Sequence, residues 1–209
     1  MSSARITKAT SKNQKTAKPE AGMYADFAKF VFSPRTEKDH AKQDAIDAPI
    51  IKHFLEMGVD IMHKANWNDV TGEKFTVQGG EFGMVSVFMG AALRGKQAIM
   101  KALIDAGVNV NDIHHYDGIY EDMTPLMHMV IRGDLDTVKL LVEYGKADIN
   151  LKTENGKPLI WLIQDYSTQQ IAKYLVSKGL DAPADWKENF AEDSSEDEME
   201  NLAKPKIRS

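Results

Sequence analysis

Hydrophobic and polar positions follow a helical rhythm that repeats four times along the chain. Four glycines mark the ends of these copies: Gly58, Gly107, Gly145 and Gly179. In every copy, apolar residues stand seven, four and three positions before the glycine, and a lysine stands six before it. The apolar positions form one stripe of a helix, and the lysine lies beside that stripe, facing out. The pattern predicts four amphipathic α-helices, each closed by a glycine in the left-handed conformation.

A second apolar segment precedes each of these helices. The four segments read MYADFAKFVF, SVFMGAALRG, TPLMHMVIRG and KPLIWLIQDY. In the third, the Thr124 hydroxyl is suited to cap the helix, and Pro125 at the first helical position loses no hydrogen bond. Gly95 and Gly133 mark turns between the two helices of a copy. Each copy is therefore predicted to be a helix–turn–helix–loop unit.

This unit resembles the ankyrin repeat, whose signature is T-P-L-H-x-A followed by G-x-x-x-x-V-x-x-L-L-x-x-G-A-D-x-N. The third copy carries the strongest match, through Thr124, Pro125, Leu126, Gly133, Val138, Leu140, Leu141, Gly145, Ala147, Asp148 and Asn150. The second and fourth copies match at fewer positions, and the first mainly over 50–61. The resemblance implies an all-α solenoid with short finger loops. Its repeats are predicted at about 23–62, 83–112, 122–151 and 155–182.

Several positions depart from the family pattern. Met127 stands where the family has its histidine, and Met129 where it has alanine. The marker glycines are separated by 107 − 58 = 49, 145 − 107 = 38 and 179 − 145 = 34 residues, against a usual unit of about 33. The loops at 62–82 and 112–122 are therefore enlarged, and residues 33–47 separate the two helices of the first copy.

Composition sets limits on the classes of function. The 209 residues include no cysteine, which excludes disulfides and thiolate chemistry, and the formal net charge of −5 argues against a general nucleic-acid binder. No apolar run is long enough to span a bilayer. The basic arm 1–20 and the acidic tail 187–209 are expected to be disordered, with the repeat domain at 21–186. A cytoplasmic protein is expected.

The resemblance implies a non-catalytic module, an adaptor or inhibitor, that binds a partner protein through its concave face and fingers. The enlarged loops follow second helices, which places them among the fingers. The predicted contact residues are finger aromatics and residues that end first helices: Trp67, Phe75, Tyr116, Tyr120, Arg94, Ile131, Arg132 and Gln164. Arg94 and Arg132 occupy matching places and could form a cationic ladder. The alternative for the aromatics is that they fold back onto the stack.

The loop DIHHYDGIYED is the strongest candidate for chemistry. It offers carboxylate and imidazole ligands at Asp112, His114, His115, Asp117, Glu121 and Asp122. A metal-dependent hydrolase is therefore the alternative function, but no zinc motif is present and a solvated loop is favoured. No catalytic residue, metal or cofactor is expected. A bacterial immunity protein or an effector could be built on the same scaffold. The array is expected to be monomeric, although exposed aromatics could self-associate.

Overall fold

A computed structural model describes residues 21–72, 76–77, 80–81, 84–114, 123–163 and 168–183. The predicted arm 1–20 and tail 187–209 lie outside these ranges. The helices in the described ranges are α1 (Ala21–Phe32), α2 (His40–Glu56), α3 (Trp67–Thr71), α4 (Val87–Arg94), α5 (Gln97–Asp105), α6 (Pro125–Ile131), α7 (Leu135–Glu143), a 3₁₀ helix (Leu159–Leu162) and α8 (Gln169–Ser177). The short strands are β1 (Lys64–Asn66), β2 (Thr76–Val77), β3 (Gly80–Glu81) and β4 (Met84–Ser86).

The helices stack in four layers, each with an inner and an outer member. Along the inner column, α1 packs on α4, α4 on α6, and α6 on the 3₁₀ helix. In the outer column, α2 packs on α5 and α7 on α8. The core is continuous between layers, with side chains such as Phe27, Phe88, Met100, Leu126 and Leu141 fully buried. The prediction of an all-α solenoid is confirmed, and the first helix pair is part of the stack.

The helix caps follow from the sequence. The Thr124 hydroxyl oxygen accepts a hydrogen bond of 3.3 Å from the Met127 amide at the start of α6. Ser86 does the same for the Met89 amide at the start of α4, at 3.1 Å. The fourth copy has Lys157 at this position, and no side chain caps the 3₁₀ helix that follows. The predicted inner helix of this copy is accordingly reduced to one short turn, after which Ile163 is extended.

The closing glycines behave as predicted in three copies and differently in the third. Gly58, Gly107 and Gly179 have left-handed φ values of 77°, 93° and 97°. In the third copy the left-handed residue is Lys146, with φ 55°, and the prediction for Gly145 is wrong. In this copy one additional residue, Lys146, stands between Gly145 and the next buried side chain, Ala147. A wide turn accommodates it, in which the Gly145 amide donates a hydrogen bond of 3.0 Å to the Leu140 carbonyl. Gly145 is instead required by packing, because a Cβ there would lie 2.8 Å from the Leu141 carbonyl oxygen.

The described residues of the enlarged loop after the first copy form two short strand pairs and a helix. Strands β1 and β4 pair antiparallel, with Lys64 opposite Ser86 and Asn66 opposite Met84. The short strands β2 and β3 pair farther along the same excursion. Helix α3 follows β1 directly, and the Asn66 side chain caps it by accepting a hydrogen bond of 3.1 Å from the Asp69 amide. This small β element is an addition to an otherwise helical fold.

Candidate protein-binding surface

A buried polar cluster joins the first layer to the second layer. The Lys96 ammonium donates to the Phe30 carbonyl at 2.6 Å and to the Ser33 hydroxyl at 3.0 Å. Burial lowers the pKa of Lys96. Burial also raises the pKa of Asp47, and the positive charge of Lys96 partly opposes that increase. Gln43 donates to the Asp47 carboxylate at 3.0 Å. Such a cluster fixes the geometry of the layers, because its partners cannot separate without leaving charges buried.

Trp67 is part of this support and not of the exposed surface. It is fully buried, and its ring stacks on Phe32 with the centroids 5.1 Å apart. The expectation of Trp67 as an exposed contact residue is therefore wrong, and the alternative that it folds back onto the stack is correct. The physical reason is its place at the start of α3, which packs against α1.

The predicted arginines have different environments. The Arg94 guanidinium lies 4.6 Å from the centre of the Trp67 ring, and its Nε donates to the Phe32 carbonyl. Arg94 is thus half-buried and acts in part as a lid over the tryptophan. Arg132 is exposed and donates to the Leu93 carbonyl at 3.4 Å. Of the two, Arg132 is the more exposed.

The other predicted contact residues divide into two groups. Ile131 is half-buried and packs against the core at the end of α6. The remaining four lie outside the described residues: Phe75, Tyr116, Tyr120 and Gln164. Their part in binding stays a prediction.

Sequence reasoning missed the large apolar side chains that the described surface does expose. Met84 on β4 is 58% exposed, and Ile113 at the base of the second finger is 48% exposed. Trp161, in the 3₁₀ helix of the last layer, is 61% exposed. The alternation of side chains along a strand was the available signal for Met84, since its neighbour Val85 is buried.

The bases of the two fingers are joined. The backbones of His114 and Met123 pair through hydrogen bonds of 3.0 and 3.3 Å, which closes the second finger at its base. The buried His114 ring then brings this finger to the first, with its Nε2 3.4 Å from the Ser86 hydroxyl oxygen. Met84 and Ile113 consequently lie on neighbouring finger segments.

The structure describes only the first three residues of the proposed metal-ligand loop, 112–114. Residues 115–122, which include His115, Asp117, Glu121 and Asp122, lie outside the described residues. His114 points inward against Ser86. Within the described part of the chain, no group of three or more histidine, aspartate and glutamate side chains is arranged to hold a metal ion.

His128 is a second buried histidine in this region, on α6. Its pKa is lowered to about 3, first because burial removes water from the charged ring and then because His114 and Arg132 add positive charge. The ring is therefore neutral at physiological pH. This neutral, buried imidazole therefore serves packing, and it makes the stability of the fold sensitive to acid.

None of the helices in the described ranges is long and apolar enough to cross a membrane.

Comparison with known proteins gives the family. Residues 88–185 match the family model described as ankyrin repeats in three copies. The chain is also 32% identical, over 96 residues, to the Notch-regulated ankyrin repeat-containing protein of Xenopus tropicalis, an alignment that covers 44% of this chain and 79% of that protein. Together with the stacked helix pairs, these similarities show that the chain belongs to the ankyrin-repeat family.

Proposed function

We propose that this protein is a non-catalytic interaction module, an adaptor or inhibitor, that binds a partner protein through its fingers and concave face. The observation that carries the proposal is the exposure of Met84 and Ile113 on two finger segments that are joined at their bases. We call this pair of residues the finger patch. Exposed apolar side chains on a rigid support favour binding, because little ordering is needed on association.

The surroundings of the finger patch suggest the chemistry of the partner. Methionine adapts its shape to an irregular apolar surface, and isoleucine adds a rigid apolar contact. Lys64 is exposed on β1, which pairs with the strand that carries Met84, and Arg132 is exposed at the C-terminal end of α6. A protein segment with apolar anchors and neighbouring carboxylates would complement these groups. Trp161 is available to extend the contact along the array, since tryptophan is a frequent anchor of interfaces.

The test compares affinity capture by the wild-type protein with capture by a Met84→Ser, Ile113→Ser variant. Lys173→Ser is the control, because Lys173 is exposed on the outer helix α8 of the last layer and belongs to neither finger. We expect the finger variant to lose a partner that both the wild type and the control retain. Circular dichroism and thermal unfolding should be the same for all three proteins. Retention of the partner by the finger variant would move the contact to another surface.

A further inference from the structure

Helix α2 exposes a stripe of apolar residues. Ile46, Ile50 and Met57 are all exposed, as are Pro49 and His53 between them. With 3.6 residues per turn, these five positions fall on one side of the helix. The buried positions of α2, such as Ile51, lie on the side that packs into the array.

The other outer helices bury the same register. Eight positions before the closing glycine stand Ile50 in α2, Ile99 in α5, Thr137 in α7 and Ile171 in α8. The last three are at most 1% exposed, whereas Ile50 is 38% exposed. The difference is one of position in the stack, because the residue types are the same or more polar in the covered copies.

Hydrogen bonds identify what covers this register in the later layers. Three residues at equivalent positions donate hydrogen bonds to the preceding layer. The Ala98 amide, at the position of Pro49, donates to the Asp44 carboxylate at 2.8 Å. The Tyr174 hydroxyl, at the position of His53, donates to Glu143 at 3.2 Å, and the Tyr144 hydroxyl, at the position of Met57, donates to Asp105 at 2.7 Å. The stripe on α2 is therefore the stacking face of the first layer. Among the described residues, no layer precedes it.

The stripe is complementary to itself. If two copies of α2 pack antiparallel about a two-fold axis near Ile50, residues on the same flank of the two helices meet. Lys42 of one copy then lies opposite Glu56 of the second copy along the helix axis. The two-fold symmetry places Glu56 of the first copy opposite Lys42 of the second copy at the other end of the helix pair. Both side chains are exposed. Two symmetric ion pairs would thus border an apolar centre made by Ile46 and Ile50.

We propose that α2 is an interface between two copies of this chain, which stack end to end through the first layer. The segment 1–20 is a poor cover for the stripe, because Met1 and Ile6 are its only large apolar residues. The pairing replaces the expectation of a monomer and does not depend on the proposed function of the fingers. A single helix pair is a small interface, so the dimer should be weak and dependent on concentration.

Sedimentation velocity of the full chain over a wide range of concentration tests the proposal. We expect a monomer–dimer equilibrium in the wild type. Ile50→Glu should raise the dissociation constant by roughly a hundredfold, because a carboxylate would face its symmetry mate in the interface. Ile113→Glu, which alters an exposed isoleucine on the fingers, should leave the equilibrium unchanged. Circular dichroism of both variants establishes that they are folded.

Charge exchange gives a test that does not depend on apolar packing. Lys42→Glu alone and Glu56→Lys alone should each weaken the dimer by roughly tenfold, since each places like charges together at both symmetric contacts. An equimolar mixture of these two variants should recover dimer formation, because a mixed pair has opposite charges at both contacts.

Several results would overturn the proposal. They are a monomer at every concentration, a dimer that Ile50→Glu leaves intact, or higher oligomers that indicate head-to-tail stacking. Dimer formation only after removal of residues 1–20 would also overturn it, because that segment would then be the occupant of the stripe.

Discussion

Replacement of His128 by glutamine should remove a large part of the acid sensitivity of the fold. His128 is buried on α6, and its pKa is lowered to about 3 from the ordinary 6.5. Between these two values the unfolded chain carries a proton on this ring and the folded protein does not. Stability contributed by the neutral ring is therefore complete above pH 6.5 and falls as the pH decreases towards 3.

The magnitude follows from the linkage of proton binding to folding. One proton of difference changes the free energy of unfolding by about 1.4 kcal/mol per pH unit. Between neutral pH and pH 5 the wild type should lose about 2 kcal/mol through His128.

Urea denaturation at pH 7 and pH 5, followed by circular dichroism, measures this loss. The difference between wild type and His128→Gln isolates the ring, because the raised pKa of Asp47 contributes equally to both proteins. The reasoning is refuted if His128→Gln loses as much stability at pH 5 as the wild type does.

Three further substitutions test the packing. Gly90→Ala should destabilise by about 1–3 kcal/mol despite alanine's better helix propensity, because the added Cβ would lie 2.1 Å from the Phe32 ring; urea denaturation measures this. Lys96→Met should cost about 1.5–3 kcal/mol, because the hydrogen bonds of the Lys96 ammonium to the Phe30 carbonyl and the Ser33 hydroxyl are lost. Lys96→Met combined with Asp47→Leu should recover part of this loss in a double-mutant cycle, because the Lys96 charge opposes the raised pKa of Asp47. Lys146→Gly should raise the thermal midpoint, because it removes a left-handed non-glycine residue that costs about 1 kcal/mol.

Opposite results would contradict specific steps. A stabilised Gly90→Ala protein would mean that Phe32 has room to move. Additive losses in the Lys96 and Asp47 cycle would mean that the two groups do not interact. A lower midpoint for Lys146→Gly would mean that the lysine side chain, which donates to the Glu143 carbonyl at 2.6 Å, outweighs the cost of its backbone conformation.

The helical register was readable from the sequence because it repeats. A glycine at a fixed distance after an apolar stripe located the outer helices, and Thr124 located the start of α6, as its hydrogen bond to Met127 shows. Gly145 escaped this reasoning because a single inserted residue transfers the left-handed conformation to Lys146. Alignment on glycines alone does not detect such an insertion.

The candidate surface was less predictable, because it lies on segments with no repeated pattern. Trp67 looked like a loop aromatic, but its burial depends on tertiary packing against Phe32 and Arg94, which no local signal reveals. Trp161 looked like one more residue of an inner helix. The structure instead places it in a short 3₁₀ helix of the last layer, where it is exposed.

Photo-crosslinking from the finger patch tests the central claim most directly. A photoreactive amino acid placed at Met84 or at Ile113, in the folded protein and in native cell extract, reports what lies against the fingers. The same probe at Lys173, which is exposed on the outer helix α8, is the control. We predict crosslinks to one common partner protein from both finger positions and none to that partner from Lys173. Crosslinks to the partner from Lys173 alone would contradict binding through the fingers and the concave face.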